Sequence, residues 1–398
     1  MSQLPSQSIK QTVDALLANS RPTVGEFTEC LQHEELPQQV PAETRRQLLQ
    51  QALQQAVELE FGTIPIYLCA LWSIKNNLDP VAKSIRNVVQ EEMLHMALAC
   101  NMLSSIGGKP KIYDTAGRGL TYPTKLPGGV HPELTLRLTG LTDDALDDFL
   151  EIELPHEEIT FDTFKSKYSH AATHSETIGQ LYDAINHEFQ SLKPAMSPDH
   201  QVTGPLSWFV VDNLEKVNSA INWIKEQGEG SVHNSPNTTG LEHLSHFYRF
   251  WEVRRRQKIE LDPVTKKFAF KSPLAFPDVW PMAVVPEGGY RAEDVTPEVA
   301  RLLSSFDQLY SYLIHLLESA WGTGGQAAMW RAIETMFALE KTALPLMKIP
   351  IPGGKGNYGP CFRLVEYHVE NLPGNLPPAG VGHGHGHAHG HGHGHHHS

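Results

Sequence analysis

The chain has 398 residues, of which 32 are Lys or Arg and 45 are Asp or Glu, so its formal net charge is −13 with His neutral. This sign disfavours nucleic acid and anionic membranes as partners, because phosphate groups attract cationic surfaces. Hydrophobic residues make up 40% of the chain, enough for a sizeable core, and no apolar run reaches the roughly 18 residues that span a bilayer.

Residues 1–40 are polar and punctuated by prolines, and we predict a loosely docked arm there with one short helix. The first ten residues contain no apolar signal segment. The four cysteines lie far apart without a C-x-x-C pair, which argues against a zinc knuckle and against a disulfide framework. We therefore expect a reduced, cytoplasmic protein.

The pattern becomes strongly helical from Pro41 onward. A long first helix is predicted from about Glu43 to Lys75, with a kink at Pro65. Asp79 then caps a second helix, which has a proline at its first position and a Gly-Gly pair beyond its last apolar residue. These signals predict the start and the end of the second helix.

Residues 108–143 are rich in Gly, Pro and Thr and are predicted as a long irregular excursion, with a short strand at 134–138. A short acidic helix follows over 141–153 and ends at Pro155. Long ordered insertions in compact domains are usually functional, so we expect the substrate pocket to lie under residues 108–170.

A third and a fourth long helix each begin at a T-x-x-E sequence, in which the threonine caps the helix and the glutamate bonds back to it. The third helix is predicted over residues 173–193 and the fourth over residues 239–256. Residues 205–228 form a further helix candidate between them. Glu176 and Glu242 thereby have a structural explanation as capping residues.

Residues 260–295 contain many prolines and no period, which predicts a linker, and two amphipathic helices follow at about 296–321 and 326–347. Nine histidines alternate mainly with glycine over 383–397. This tail is either a native segment that sequesters Ni, Cu or Zn or a purification tag, and in neither case is it catalytic. The predicted fold is all-α and has five parts: an arm (1–40), a helical bundle (41–260), a proline-rich linker (261–295), C-terminal helices packed on the bundle (296–370) and a disordered Gly/His-rich tail (371–398).

Acidic residues are predicted on the apolar faces of the first two helices. On a helical wheel of about 100° per residue, Glu60 falls within the apolar stripe of the first helix, whereas Glu58 points to the polar side. Glu92 and His95 fall within the apolar stripe of the second helix, with Glu91 at its edge. Buried carboxylates without a partner would cost several kcal/mol, so these groups need a shared one.

A metal ion would supply that partner. The Glu-x-x-His spacing places an oxygen and a nitrogen ligand on one helix face, and four-helix di-iron and di-manganese carboxylate proteins combine such pairs with single glutamates from other helices. The alternative for Glu92 and His95 is a surface glutamate beside a satisfied core histidine. Because Glu60 lies on a second apolar face, we favour the metal and expect two iron ions, with manganese or a single metal ion as alternatives.

The third and fourth helices offer less regular candidates. Glu188 is the carboxylate that best fits the apolar face of the third helix. On the fourth helix, Glu242 is either a ligand or a capping residue, and His246 is the better ligand candidate. Glu252 is held in reserve, with an ion pair to the arginines that follow it as its alternative.

Two segments, LQQAVELEFGTIPIYLCALWSI (53–74) and EEMLHMALACNMLSSIGGKP (91–110), resemble the ferritin-like domain family of the iminophenyl-pyruvate dimer synthases. These are the violacein- and rebeccamycin-pathway enzymes that couple two indole-derived imine units. The resemblance covers roughly residues 41–365 and implies a ferritin-like four-helix bundle with additional C-terminal helices and long irregular insertions. Shorter matches are IELP (152–155), TIGQLYDAI (177–185), HFYRFWEV (246–253) and GPCF (359–362).

The resemblance also carries expectations for single residues. A glutamate is expected in the TIG-x-LY segment where this chain has Gln180, so a ligand at that position is weakened or replaced by a neighbour. Glu153 of IELP becomes a further metal-ligand candidate. By position, the resemblance implies ligand or site roles for Glu60, Glu92, His95 and His246.

The leading functional hypothesis is an oxidoreductase that uses a dinuclear iron or manganese site to activate O2 or peroxide against a small organic molecule. Carboxylates are hard ligands that can bridge such metals. The resemblance favours oxidation or oxidative coupling of an amino-acid-derived substrate in secondary metabolism. Tyr67, on the same stripe as Glu60, is either a redox-active catalytic neighbour or a core tyrosine.

Two rival functions belong to other classes. The chain could be a metal storage or delivery protein, or a metal-free scaffold that shapes a coupling step. A homodimer is expected only from the common preference for twofold assemblies.

Overall fold

A computed structural model describes residues 8–19, 22–113, 120–154, 177–204, 208–228, 244–265, 268–354 and 356–372. Over these ranges the chain is mostly helical, with one two-stranded antiparallel sheet, which confirms the predicted fold class. The α-helices are α1 (Ile9–Ala18), α2 (Val24–Leu31), α3 (Leu36–Gln39), α4 (Ala42–Ser73), α5 (Pro80–Ser105), α6 (Asp143–Ile152), α7 (Ile178–Leu192), α8 (Leu214–Gly228), α9 (His246–Arg255), α10 (Pro297–Ala320) and α11 (Gly325–Met347). The strands are β1 (Gln257–Leu261) and β2 (Phe268–Pro273), and short 3-10 helices occupy Pro127–Gly129, Ala292–Asp294 and Val369–Asn371.

The two longest predicted helices are present as α4 and α5, which pack against each other along the centre of the bundle. α4 continues through Pro65. α5 begins where the sequence indicates, because the side chain of Asp79 accepts a hydrogen bond from the backbone N–H of Val81 at 2.8 Å and Pro80 occupies the first helical position. Both helices are confirmed.

The third core helix, α7, begins at Ile178 rather than near Thr173. Thr177 caps it: the Thr177 hydroxyl accepts from the backbone N–H of Gln180, and the Gln180 side chain accepts from the backbone N–H of Thr177. The predicted cap at Thr173 and Glu176 lies outside the described residues. Gln180, which departs from the family pattern, therefore closes a capping box.

The fourth core helix, α9, is shorter than the helix predicted over residues 239–256. It begins at His246 and ends at Arg255. Thr239 and Glu242, the predicted cap, lie outside the described residues. His246 is therefore the first residue of the helix and not a residue of its interior.

Two further helices, α6 and α8, pack against these four. α8 packs against α7 and α5, and α6 packs against α9. They confirm the helices expected within 205–228 and 141–153. Glu153 directly follows α6, and Gln227 is the penultimate residue of α8, so each of these helices ends close to the bundle.

The N-terminal segment differs from the predicted arm with one short helix. It contains α1, α2 and α3, and α2 packs against α7 and α4. Val13, Val24 and Phe27 are almost completely buried. A few apolar residues at helical spacing are enough to dock this segment, although its overall composition is polar.

The predicted proline-rich linker contains regular structure at its start. β1 pairs antiparallel with β2, with Ile259 opposite Phe270, and the ring of Phe270 packs edge-on against Trp251 of α9 at 5.0 Å between centroids. The hairpin is hard to foresee because most of its side chains are exposed or half-buried, so it shows little alternation of apolar and polar residues.

The two C-terminal helices, α10 and α11, pair with each other, and α11 reaches α4. Both confirm the predicted positions. Arg363 binds the buried carboxylate of Asp307 through its Nε at 2.7 Å and its backbone N–H at 3.1 Å, which ties the last described segment to α10. None of the described helices is long and apolar enough to cross a membrane.

Candidate metal centre

Three of the predicted ligands meet between α4 and α5. Glu60, Glu92 and His95 are between 2% and 4% exposed. Nδ1 of His95 lies 3.6 Å from Oε2 of Glu60 and 3.7 Å from Oε1 of Glu92. The apolar stripes of the two helices face each other, so the three polar side chains placed on them converge in the core. These residues form one group whose geometry can hold a metal ion.

A second group of the same kind lies beside the first. Nδ1 of His246 is 2.8 Å from Oε1 of Glu92 and 3.5 Å from Oε2 of Glu153. The start of α9 supplies the histidine, and the residue after α6 supplies the second carboxylate. Glu92, Glu153 and His246 can together hold a metal ion.

Glu92 belongs to both groups, so the two positions share a carboxylate. The rings of His95 and His246 are roughly parallel, with centroids 5.4 Å apart and an angle of 23° between the planes. Each histidine presents Nδ1 to the carboxylates. The arrangement is a pair of adjacent groups that could each hold a cation, each with its own histidine and its own second glutamate, and both include Glu92.

Hydroxyl groups hold the three carboxylates in place. Tyr182 donates to Oε1 of Glu60 at 2.7 Å, and Tyr67 donates to Oε1 of Glu153 at 2.6 Å. The Thr63 hydroxyl lies 2.8 Å from Oε2 of Glu92 and can donate there, or to the backbone carbonyl of Glu60 at 2.9 Å. Burial, together with the adjacent carboxylates, raises the pKa of both tyrosines well above the ordinary value, so both remain neutral donors.

The outer nitrogen of each histidine has a partner of its own. Nε2 of His95 lies 2.8 Å from the amide oxygen of Gln227, and Nε2 of His246 lies 2.9 Å from Oε2 of Glu91. Both Glu91 oxygens are also held by Arg249, at 2.9 and 3.1 Å. An acceptor on Nε2 fixes the proton there and leaves Nδ1 free to bind a metal.

Without a cation, this cluster retains protons. Burial, and next the charge of Glu153, raise the pKa of Glu92 to about 7. Burial alone would lower the pKa of His246, but the carboxylates of Glu153, Glu91 and Glu92 outweigh it and raise the pKa well above the ordinary value. Burial alone would also lower the pKa of His95, but the nearby carboxylate of Glu60 outweighs burial and raises this pKa above the ordinary value. The site therefore attracts positive charge.

The donor set fits metal ions better than it fits a closed hydrogen-bond network. Nδ1 of His246 is buried and makes no hydrogen bond to a described residue, since its 2.8 Å contact with Glu92 has the wrong direction for one. The 3.6 and 3.7 Å separations around Nδ1 of His95 exceed hydrogen-bond distance. Two ligands bound near 2.1 Å to one ion lie about 3.0–3.6 Å apart for angles of about 90–120°, so these separations are close to the upper end of that spacing. Nitrogen and carboxylate donors suit iron and manganese.

A small cavity of about 30 Å³ adjoins the first group. Its volume is sufficient for one or two water-sized species. The side chains of Glu60, Glu92, His95 and Glu153 line it, but His246 does not. Its remaining wall is partly apolar and is formed by Ile152, Ile178, Gly179, Ile224 and Gly228, among others.

Glu188, the ligand candidate on α7, is not at the centre. Its two oxygens bind Nε and Nη2 of Arg45 at 2.9 and 3.0 Å, and Arg45 also bonds to Ser191. Glu188 is 1% exposed. The apolar face correctly indicates a buried carboxylate that needs a partner, but the partner is an arginine of α4. The metal-ligand prediction for Glu188 is corrected accordingly.

The structure treats the remaining candidates, Glu242, Glu252 and Tyr67, differently. Glu242 lies outside the described residues. Glu252 is structural: it accepts a hydrogen bond from the backbone N–H of Ile259 at 2.6 Å and pairs with Lys258 at 3.4 Å, instead of with the arginines that follow it. Tyr67 is completely buried beside Glu153, and its catalytic role stays a prediction.

Sequence reasoning missed Glu91 and Gln227 as partners of the histidines. Glu91 lies at the edge of the apolar stripe of α5, where a charged residue usually faces solvent. Gln227 comes from a helix that supplies no predicted metal ligand, and a neutral amide gives no signal for a metal centre. Three-dimensional contacts are required to find both.

Comparisons with known proteins support the ferritin-like fold. A family model described as ferritin-like matches residues 53–255. Dichlorochromopyrrolate synthase of Lentzea aerocolonigenes is 25% identical over 321 residues, which is 72% of this chain but 30% of the length of that relative. The crystal structure of a ferritin-like protein from Caulobacter vibrioides covers 80% of this chain and 97% of its own, with a TM-score of 0.54 and 22% identity, and it supports the fold alone.

Proposed function

Because the chain belongs to the ferritin-like family, we propose that its five buried carboxylate and imidazole groups hold two ions of iron or manganese. Glu60 and His95 would bind one ion, Glu153 and His246 the other, and Glu92 both. The observation that carries the proposal is the position of Glu92, whose Oε1 lies 3.7 Å from Nδ1 of His95 and 2.8 Å from Nδ1 of His246. A carboxylate shared in this way is what a dinuclear site needs.

We further propose that the protein is an oxidoreductase acting on a small amino-acid-derived molecule in secondary metabolism, by oxidation or oxidative coupling. Two redox-active ions bound together would supply the electrons with which O2 is reduced. The name of the Lentzea relative supports the assignment to secondary metabolism. The short length of the matched segment relative to that protein leaves the substrate itself a proposal.

The protein's own residues would control access and protons. The apolar side chains of Ile152, Ile178 and Ile224 line the approach to the carboxylates and would exclude water from the reacting ions. Tyr67 and Tyr182 keep their protons, so each orients a carboxylate by donating to it. Tyr67 packs edge-on against Phe149 at 4.7 Å between centroids, which holds its hydroxyl on Glu153.

The test is O2 consumption by anaerobically Fe(II)-loaded protein after an indole-derived or amino-acid-derived substrate is added. We expect substrate-dependent uptake in the native protein. In Tyr67→Phe we expect the metal content to be kept and the rate to fall at least about tenfold, since groups that position metal ligands carry effects of this size.

A matched control is Tyr310→Phe, which removes the hydroxyl of a buried tyrosine whose ring packs on Phe362 in the C-terminal part of the chain. We expect this variant to keep the native rate. Uptake that no substrate stimulates would argue for storage or delivery of metal, and an unchanged rate in Tyr67→Phe would limit Tyr67 to a packing role.

A further inference from the structure

The two metal positions are built from similar ligands but have different surroundings. His95 is supported by Gln227, a neutral amide, whereas His246 is supported by Glu91, a carboxylate. An imidazole that donates its outer N–H to a carboxylate is a stronger metal ligand than one that donates to an amide, because the hydrogen bond transfers more electron density to the ring.

Arg249 makes the support of His246 rigid. Its Nη2 donates to Oε1 of Glu91 at 3.1 Å, and its Nη1 lies at ion-pair distance, 2.9 Å, from Oε2. Its Nε donates to the backbone carbonyl of Leu244 at 2.5 Å. Glu91 lies on α5, which also supplies Glu92, and Arg249 lies on α9, which also supplies His246. The ion pair that supports the imidazole therefore also joins these two helices. The support of His95 depends on the end of α8 alone.

The positions also differ in access. All three residues of the first position, Glu60, Glu92 and His95, line the cavity, whereas at the second position Glu92 and Glu153 line it and His246 does not. The contacts around Nδ1 of His246, 2.8 and 3.5 Å, are shorter than those around Nδ1 of His95. The position at His246 is thus more contracted, and its histidine is closed off from the cavity.

From these differences we propose that the two ions are bound in sequence and unequally. The position of Glu92, Glu153 and His246, supported by Glu91, fills first and keeps its ion. The position of Glu60, Glu92 and His95, whose histidine lines the cavity, fills second and exchanges its ion. Glu91 and Gln227 are then positioning residues that set the two affinities. The inference rests on the proposed dinuclear site and adds the order of its assembly.

The experiment is an anaerobic titration of the full chain with Mn²⁺, in which electron paramagnetic resonance measures the free ion. Mn²⁺ prefers carboxylate sites and binds imidazole weakly compared with Ni, Cu or Zn, so the histidine-rich tail interferes little. The Glu92→Ala variant provides the baseline for binding outside the site. Above this baseline we expect two ions per chain, bound in two steps whose dissociation constants differ at least about tenfold.

Two substitutions assign the steps. Glu91→Gln should weaken the first step about tenfold or more and leave the second nearly unchanged, whereas Gln227→Glu should tighten the second step. Glu215→Gln, which removes an exposed carboxylate of α8, is the charge-matched control and should change neither step. Circular dichroism confirms that each variant is folded, and the two variants lie on different helices, so one folding failure leaves the other informative.

The outcomes distinguish the inference from its foundation. Two equal and independent steps in the native protein, or a Glu91→Gln variant that weakens only the second step, would overturn the proposed order while the dinuclear site stands. Absence of binding above the Glu92→Ala baseline would overturn the dinuclear site itself.

Discussion

Glu92→Ala is expected to remove both metal ions from the protein, the largest loss from any single substitution in the site. Oε1 of Glu92 is 3.7 Å from Nδ1 of His95 and 2.8 Å from Nδ1 of His246, so both ions would lose a ligand at once. Glu60→Ala and Glu153→Ala each remove a ligand of one position only and should retain about one ion per chain.

Metal content after loading with Fe(II) and removal of loosely held metal measures this difference. Glu58→Ala is the matched control, since Glu58 lies two residues from Glu60 on the same helix but is only half-buried and accepts a hydrogen bond from Gln54. It should retain both ions. If Glu92→Ala kept one tightly bound ion, Glu92 would not be shared between the two positions.

Glu188→Ala is expected to produce the largest loss of stability without a loss of metal. The ion pair between Glu188 and Arg45 is buried, with side chains 1% and 7% exposed, and breaking such a pair leaves an uncompensated buried charge, at a cost of about 3 kcal/mol or more in the free energy of unfolding. Burial raises the pKa of Glu188 even though Arg45 acts to lower it. The expected loss in the free energy of unfolding is therefore about 3 kcal/mol.

Urea unfolding of metal-free protein measures this effect without a contribution from bound ions. The double variant Arg45→Met/Glu188→Leu removes both charges and should recover most of the stability, because apolar replacement of a buried pair is often tolerated. Both variants should load two ions when folded. A Glu188→Ala variant that is fully stable but binds fewer ions would return Glu188 to the ligand set.

The contrast between Glu60 and Glu188 shows how far sequence reasoning reaches. Both lie on apolar helix faces, and for both the sequence correctly requires a buried partner. The periodicity does not contain the partner's identity: Glu60 meets His95 of the neighbouring helix, and Glu188 meets Arg45. Arg45 lies near the start of α4, 143 positions before Glu188 in the sequence. Only the packing of α7 on α4 therefore reveals the pair.

The ends of the helices are predictable from the sequence only where the signal is local. The start of α5 is predictable because Asp79 and Pro80 are local signals that act on their own helix. For the third core helix the sequence indicates a cap at Thr173, but α7 is capped at Thr177, where Gln180 completes a T-x-x-Q box. Glu153 follows α6 at its end, where no helical stripe exists to place it, so the family resemblance was its only indication.

Anomalous diffraction at the metal absorption edge, from crystals of the metal-loaded protein, tests the central claim most directly. We predict two peaks per chain inside the bundle, one beside Nδ1 of His95 and one beside Nδ1 of His246, with the carboxylate of Glu92 between them. A single peak, or peaks confined to the histidine-rich tail with none among Glu60, Glu92 and Glu153, would contradict the dinuclear site.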